Sequence, residues 1–459
     1  MFRKNAWNEY APEERSRALD FARSYMDFLN AAKTEREACA CAEDICAAAG
    51  FRDLDKVIAS GEKLKPGDKV YLNWMGKSFL AFVIGEQPIE CGLNILGAHI
   101  DSPRIDIKQN PLFEEEGLCY LDTHYYGGIK KYQWLAMPLA LHGVIVRKDG
   151  SKAELRLGEN EDDPVFCITD LLPHLAHEQM EKSAAKFVDG EALNVLIGGE
   201  PLKDTEKDAV KAGVLKLLQE TYSVCEEDFI SAELELVPAG RCRDVGFDRS
   251  MILGYGHDDR VCAYPSLMAV AEYEGTPKRT LAAVLTDKEE IGSVGATGMD
   301  SAFFENAVAE LIALTAGESD LKVRRALSNS RMLSSDVSAG FDPCYAGVFE
   351  KKNAAILGQG VCFNKYTGAR GKSGASDANA EFMAEVRLAM DDARVCWQTS
   401  EIGKVDVGGG GTIAYLCARY GMNVIDCGVP VLSMHAPWEI VSKADLWEAM
   451  KGYVAFLGA

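Results

Sequence analysis

A chain of 459 residues is too long for one simple core, so two domains are the natural expectation. Its make-up, 47% hydrophobic and 26% charged, is that of an ordinary globular protein. A net charge of −21 argues against nucleic acid or an anionic membrane as the main partner, because phosphate recognition needs clustered Lys and Arg.

The N-terminal segment, Met1-Phe2-Arg3-Lys4-Asn5-Ala6-Trp7, has no apolar signal core, and no apolar stretch reaches the roughly 18–20 residues of a membrane span. A cytoplasmic location is the expectation. Residues 12–49 read as helical, with Leu19, Ala22, Tyr25, Phe28 and Leu29 at helical spacing and Gly50 as a stop. Cys39, Cys41 and Cys46 fall in this stretch and read as small apolar packing residues. The 14 cysteines are scattered, without a Cys-x-x-Cys pair. Strands are expected at residues 69–74, 79–84 and 93–100.

The segment 105–245 differs in texture. Short strand-like pieces (118–123, 140–146, 153–157) alternate with acidic loops, and residues 203–220 read as a charged helix. This is expected to be an inserted, β-rich second domain within a discontinuous first domain, residues 1–104 and 246–459. Beyond 246, apolar strands (280–286, 311–315, 354–357, 396–400, 423–427) alternate with helices (261–273, 377–391, 412–420). That order predicts an α/β fold with a largely parallel central sheet and helices on both faces.

Ligands of open α/β sheets bind at the carboxyl ends of strands. Residues 93–100 deliver His99 and Asp101 there, and 280–286 lead to the adjacent pair Glu289 and Glu290. Met332-Leu333 precede Ser334-Ser335-Asp336, and Val431-Leu432-Ser433-Met434 precede His435. Asp258 stands in a glycine-bearing loop that opens a helix, where it reads equally as a helix cap. Two His and three carboxylates form an N and O donor set without thiolate, suited to zinc, cobalt or manganese in a catalytic site. Neighbouring side chains in an extended segment point opposite ways, so one glutamate of the pair suits a metal and the other a reacting water. Asp101, two residues past His99, is placed to orient it.

These motifs make the sequence recognisable. It resembles the aspartyl aminopeptidase family of dinuclear zinc aminopeptidases. The matching segments are Ala98-His99-Ile100-Asp101-Ser102-Pro103, His257-Asp258-Asp259, Asp287-Lys288-Glu289-Glu290-Ile291-Gly292-Ser293, Ser334-Ser335-Asp336 and Ser433-Met434-His435-Ala436. Gly409-Gly410-Gly411-Thr412-Ile413 and Pro173-His174-Leu175-Ala176-His177 match too. The resemblance implies a peptidase acting on N-terminal residues, acidic ones (Asp or Glu) in the family, through a water activated between two zinc ions. By position it implies His99 and Asp336 on one ion, Glu290 and His435 on the other, Asp258 bridging, Glu289 as general base and acid, and Asp101 supporting His99. It also implies a lid and dimer role for the inserted domain, His174 reaching a neighbouring subunit's site, and a dodecameric assembly.

Some positions depart from the family. Ile100 replaces a usual Thr, Ala436 a usual Ser, and residues 363–374 align poorly with the stretch near the substrate side chain. Lys365, Arg370 and Lys372 in that stretch suit a substrate carboxylate, or read as a solvated glycine-rich loop. Two other readings stay open: a related dinuclear hydrolase or amidohydrolase of neutral or other specificity, and a non-catalytic scaffold of the same fold.

Overall fold

The computed structural model describes residues 4–459; Met1, Phe2 and Arg3, the start of the N-terminal segment considered above, lie outside the described residues. Contacts divide the chain into two units. Of the described residues, the first comprises 4–101, 242–434 and 439–459, and the second 102–241 with 435–438.

The first unit is a mixed α/β body built on a nine-stranded sheet. Four neighbouring strands at its centre run parallel: Thr280–Thr286, Leu93–His99, Arg331–Ser335 and Asn423–Gly428. Antiparallel strands flank this quartet, Ser78–Val83 on one side and Val361–Asn364 on the other. The expectation of a largely parallel sheet therefore applies to the centre, and the sheet as a whole is mixed. Alternate residues of one strand enter different cores, as strand pleating requires. Leu96 and Ala98 pack into the core that holds Tyr25, Val261 and Tyr453, while Leu93 and Ile95 pack into the core of Phe303, Val308 and Leu311. Burial on both faces explains why the central strands read as continuous apolar runs.

Two expected strands fail. Residues 311–315 belong to the helix Phe303–Ala316, whose buried Phe303, Phe304, Ala307, Val308, Leu311 and Ile312 recur at helical spacing. Residues 354–357 make only an isolated bridge from Ala355 to Gly340, and the strand follows at Val361–Asn364. The N-terminal helical region is two helices, Pro12–Ala31 and Glu35–Ala48. A reciprocal cap starts the second: Thr34 Oγ1 accepts from Glu37 N, and the Glu37 carboxylate accepts from Thr34 N. A smaller five-stranded sheet in this unit contains Met251–Gly254, Glu439–Ser442 and Pro430–Leu432.

The second unit is a six-stranded antiparallel sheet with the helix Ala209–Tyr222. Its strands bury one face and leave the other wet, as in Lys152–Leu157, where exposed and covered residues alternate. The expected charged helix therefore begins later than residue 203.

Candidate metal centre

Register between parallel strands brings the first donors together. Thr286 pairs with His99, and Ser334 pairs with Gly97, so the segments beyond these strands emerge side by side. His99 is the last strand residue, and the chain turns at once. Asp101 is therefore not on a continuing strand; the loop folds it back under the ring. His99 Nδ1 lies 3.0 Å from the Asp101 carbonyl oxygen and 3.3 Å from its Oδ1.

Asp101 also does something its sequence position does not announce. Its Oδ1 accepts from Glu289 N at 3.1 Å and its Oδ2 from Glu290 N at 3.2 Å. One buried carboxylate thus seats both His99 and the single turn Glu289–Ile291. That turn starts after Lys288, whose φ of 68° is left-handed, and ends at Gly292 with φ 98°. A side-chain chain of bonds braces it: Thr297 Oγ1 donates to Asp287 Oδ2 at 2.6 Å, and Asp287 N donates to Ser78 Oγ at 3.1 Å.

Asp258 and Asp259 open the helix His257–Ala271 with non-helical backbone angles, after Gly256 at φ 73°. Asp258 N donates to Glu439 Oε2 at 3.0 Å. Asp258 Oδ1 lies 3.1 Å from His99 Nε2, and Asp259 Oδ2 accepts from His99 N at 3.3 Å. Asp336 follows the strand Arg331–Ser335, held by its N–H on Cys427 O at 2.8 Å. Its Oδ1 is 4.0 Å from His99 Nε2, and Glu289 Oε2 is 3.9 Å from the same nitrogen.

Three sets of donor atoms, each within 4.8 Å of one another, result: His99 with Glu289 and Asp336, His99 with Asp258 and Glu290, and Asp258 with Asp259 and Asp336. Glu289, Asp336, Asp258 and Glu290 share these sets with His99, and Asp101 makes a fifth carboxylate at the imidazole. Burial by itself would depress the His99 imidazolium, yet its bonds to Asp101 and Asp258 hold it well above its ordinary value. Burial lifts the Asp336 carboxyl well above the usual range, and Glu289 and Asp259 push it further. Asp259 is likewise raised by burial, with Asp258 adding to it. A buried acidic cluster of this kind is neutralised either by keeping protons, as at Asp336 and Asp259, or by taking up a cation in their place. The all-N and O donor set, with carboxylates shared between overlapping groups, fits divalent zinc.

Asp259 is the donor that sequence reasoning passed over. Its signal was present, since Asp258-Asp259 repeats the doubled-carboxylate pattern of Glu289-Glu290. His435 falls in none of the three sets among the described residues. It groups with the second unit, where its Nδ1 lies 3.1 Å from Gly128 O. It follows Pro430–Leu432, a strand of the five-stranded sheet, so the central-sheet rule does not account for it. Ser433 and His435 both have left-handed backbones, at φ 59° and 64°. Such conformations in non-glycine residues concentrate at functional sites. His174 sits on the exposed turn Pro173–Leu175 of the second unit.

The family model described as "Aminopeptidase I zinc metalloprotease (M18)" matches residues 28–457. The chain is 56% identical to a probable M18 family aminopeptidase 1 of Clostridium acetobutylicum, over 99% of this chain and 98% of that one. The crystal structure of aminopeptidase I from the same organism superposes with a TM-score of 0.93 at 55% identity, covering 100% of both chains. An M18 aminopeptidase from Thermotoga maritima superposes at 0.95 with 43% identity, covering 100% of this chain and 99% of that one. The S. cerevisiae mApe1 dodecamer shares the fold, with a TM-score of 0.76 at 21% identity over 95% and 96% of the two chains.

Proposed function

The chain belongs to the M18 family of zinc metallo-aminopeptidases, and from that premise we propose how its residues divide the work. The reaction is removal of an N-terminal residue from a peptide. Zinc bound at this centre would supply Lewis acidity, toward the scissile carbonyl and a nearby water. His99 and Asp336 would hold one ion and Glu290 and His435 a second, with Asp258 available to both. Glu289 takes a proton from the attacking water and returns it to the leaving amine. Asp101 positions both His99 and the Glu289–Ile291 turn through its bonds to them.

The observation that carries this reading is the convergence of five carboxylates on His99. A non-catalytic scaffold would have no reason to keep so costly a cluster intact. The glutamate pair supplies the test. Glu289→Gln should bind zinc as the parent does and lose about 10²–10⁴-fold in kcat. Glu290→Gln should lose zinc as well as turnover, read by metal analysis after dialysis. Comparable turnover in Glu289→Gln and the parent would overturn the assignment.

For self-association, residues 105–245 serve as lid and dimer contact, with a dodecamer as the closed assembly. Support comes from the second unit, where Leu171, Leu172, Leu175 and Met180 stand exposed around His174. Exposed apolar groups of this kind mark contact surfaces. His174 would then act in a neighbouring copy's site. Light scattering at micromolar concentration should show an assembly larger than a dimer; a monomer would remove this part of the proposal.

No helix among the described residues is long and apolar enough to cross a membrane.

A further inference from the structure

Asp258 stands where regular structure does not hold it. The chain passes Gly256 at φ 73°, and Asp258 and Asp259 keep non-helical angles before the helical backbone proper begins. A helix start leaves its first N–H groups without partners inside the helix. One of them is recovered, since Asp258 N donates to Glu439 Oε2 from the strand Glu439–Ser442. That bond fixes the main chain at one point and leaves the direction of the segment to its side chains.

His257, the residue before, supplies a second point. A buried imidazole next to Asp258 and Asp259 is a natural metal donor, yet His257 belongs to none of the three donor sets among the described residues. Its Nδ1 instead lies 2.7 Å from the Tyr25 hydroxyl, and both side chains are fully buried. The two ring centroids are 5.7 Å apart. On the other edge, His257 Nε2 is 3.1 Å from where a Cβ would stand on Gly254, so any side chain there would press on the ring. Gly254 pairs with Glu439 in the five-stranded sheet. Tyr25 and the Gly254 backbone therefore hold the imidazole between them.

Tyr25 comes from the helix Pro12–Ala31 and precedes the span 28–457 that the family model matches. Tyr25, Phe28 and Leu29 anchor that helix in the core. The Tyr25 ring also packs on Tyr264, 5.8 Å between centroids, from the helix that Asp258 opens. The hydroxyl is thus carried to His257 by a packed helix and not by a loop.

We propose that Tyr25 is a positioning residue for the metal centre: through His257 it sets the direction of Asp258 toward His99. The inference rests on the proposed metal centre. Inside the core no water replaces a lost partner, so removing the hydroxyl strands the imidazole nitrogen. A ring released from its place moves the main chain of Asp258, which is joined to it across one planar peptide. Asp258 Oδ1, 3.1 Å from His99 Nε2, is the donor atom that this displaces.

The test uses full-length protein loaded with zinc. Release of zinc to a chromogenic chelator is timed at a temperature where circular dichroism shows each protein folded. Tyr25→Phe keeps the ring and removes one oxygen. It should release zinc about tenfold faster than the parent, as for other groups that orient metal donors. A bond that served only the fold would leave release from the folded protein unchanged. His257→Leu should show the same acceleration, and adding Tyr25→Phe to it should cause no more. His257→Asn, whose amide oxygen can take the place of Nδ1, should release zinc more slowly than His257→Leu. Unchanged release from Tyr25→Phe, or two effects that multiply, overturns the positioning role and leaves the metal-centre reading standing. Should Tyr25→Phe not fold, equal release from His257→Asn and His257→Leu overturns it. A parent that binds no zinc overturns both readings.

Discussion

The carboxylate cluster at His99 and the cation loop at Asp377 treat charge in opposite ways. At the first, buried acids outnumber the one base, and geometry is imposed by strand ends, by Asp101 and by Glu439. Their excess charge is relieved by protons or by a bound cation. At the second, acids and bases are half exposed and nearly matched, joined by bonds that solvent screens. The first region is one where the protein leaves charge unbalanced, and the second one where Asp377 balances it locally.

The comparison can be broken first at Asp101. Asp101→Asn presents an amide N–H to the Glu290 N–H, so one backbone donor loses its acceptor. Zinc affinity or turnover should fall about 10–100-fold, as for other groups that orient ligands. A loss below threefold in both would mean that the strands alone fix the donors. A smaller effect concerns Asp426, which anchors the glycine run between the two regions through the Thr412 hydroxyl. Burial lifts its carboxyl to about 7, from an ordinary 3.8. The folded chain therefore keeps a proton that the unfolded chain releases. Its contribution to stability is complete below the unfolded value and is lost as pH rises through about 7. Asp426→Asn should flatten the fall in Tm between pH 5 and pH 8; an unchanged slope would show that Asp426 does not hold that proton.

Much of the site was legible because its donors follow apolar strands that the chain spells out continuously. Residues 280–286 read as a strand and are one, the run read as 93–100 is a strand as far as His99, and the candidate donors stand at or just beyond these strand ends. Residues 311–315 misled because a five-residue apolar run carries no period of its own. Only the wider spacing from Phe303 to Ile312 marks the helix. His435 was legible as part of a motif, but not as a product of the central sheet.

The sequence by itself determined the alternation of strands and helices, the N and O chemistry of the donors, and the family to which the chain belongs. These are local properties, written in periodicity, in residue type and in motif order. Tertiary structure alone decided that Asp101 seats Glu289 and Glu290 from 188 and 189 residues away, that Asp259 joins the cluster, and that Asp377 spans two lysines. Each of these is a meeting of side chains that depends on sheet register and loop closure, and no periodicity encodes which carboxylate reaches which cation.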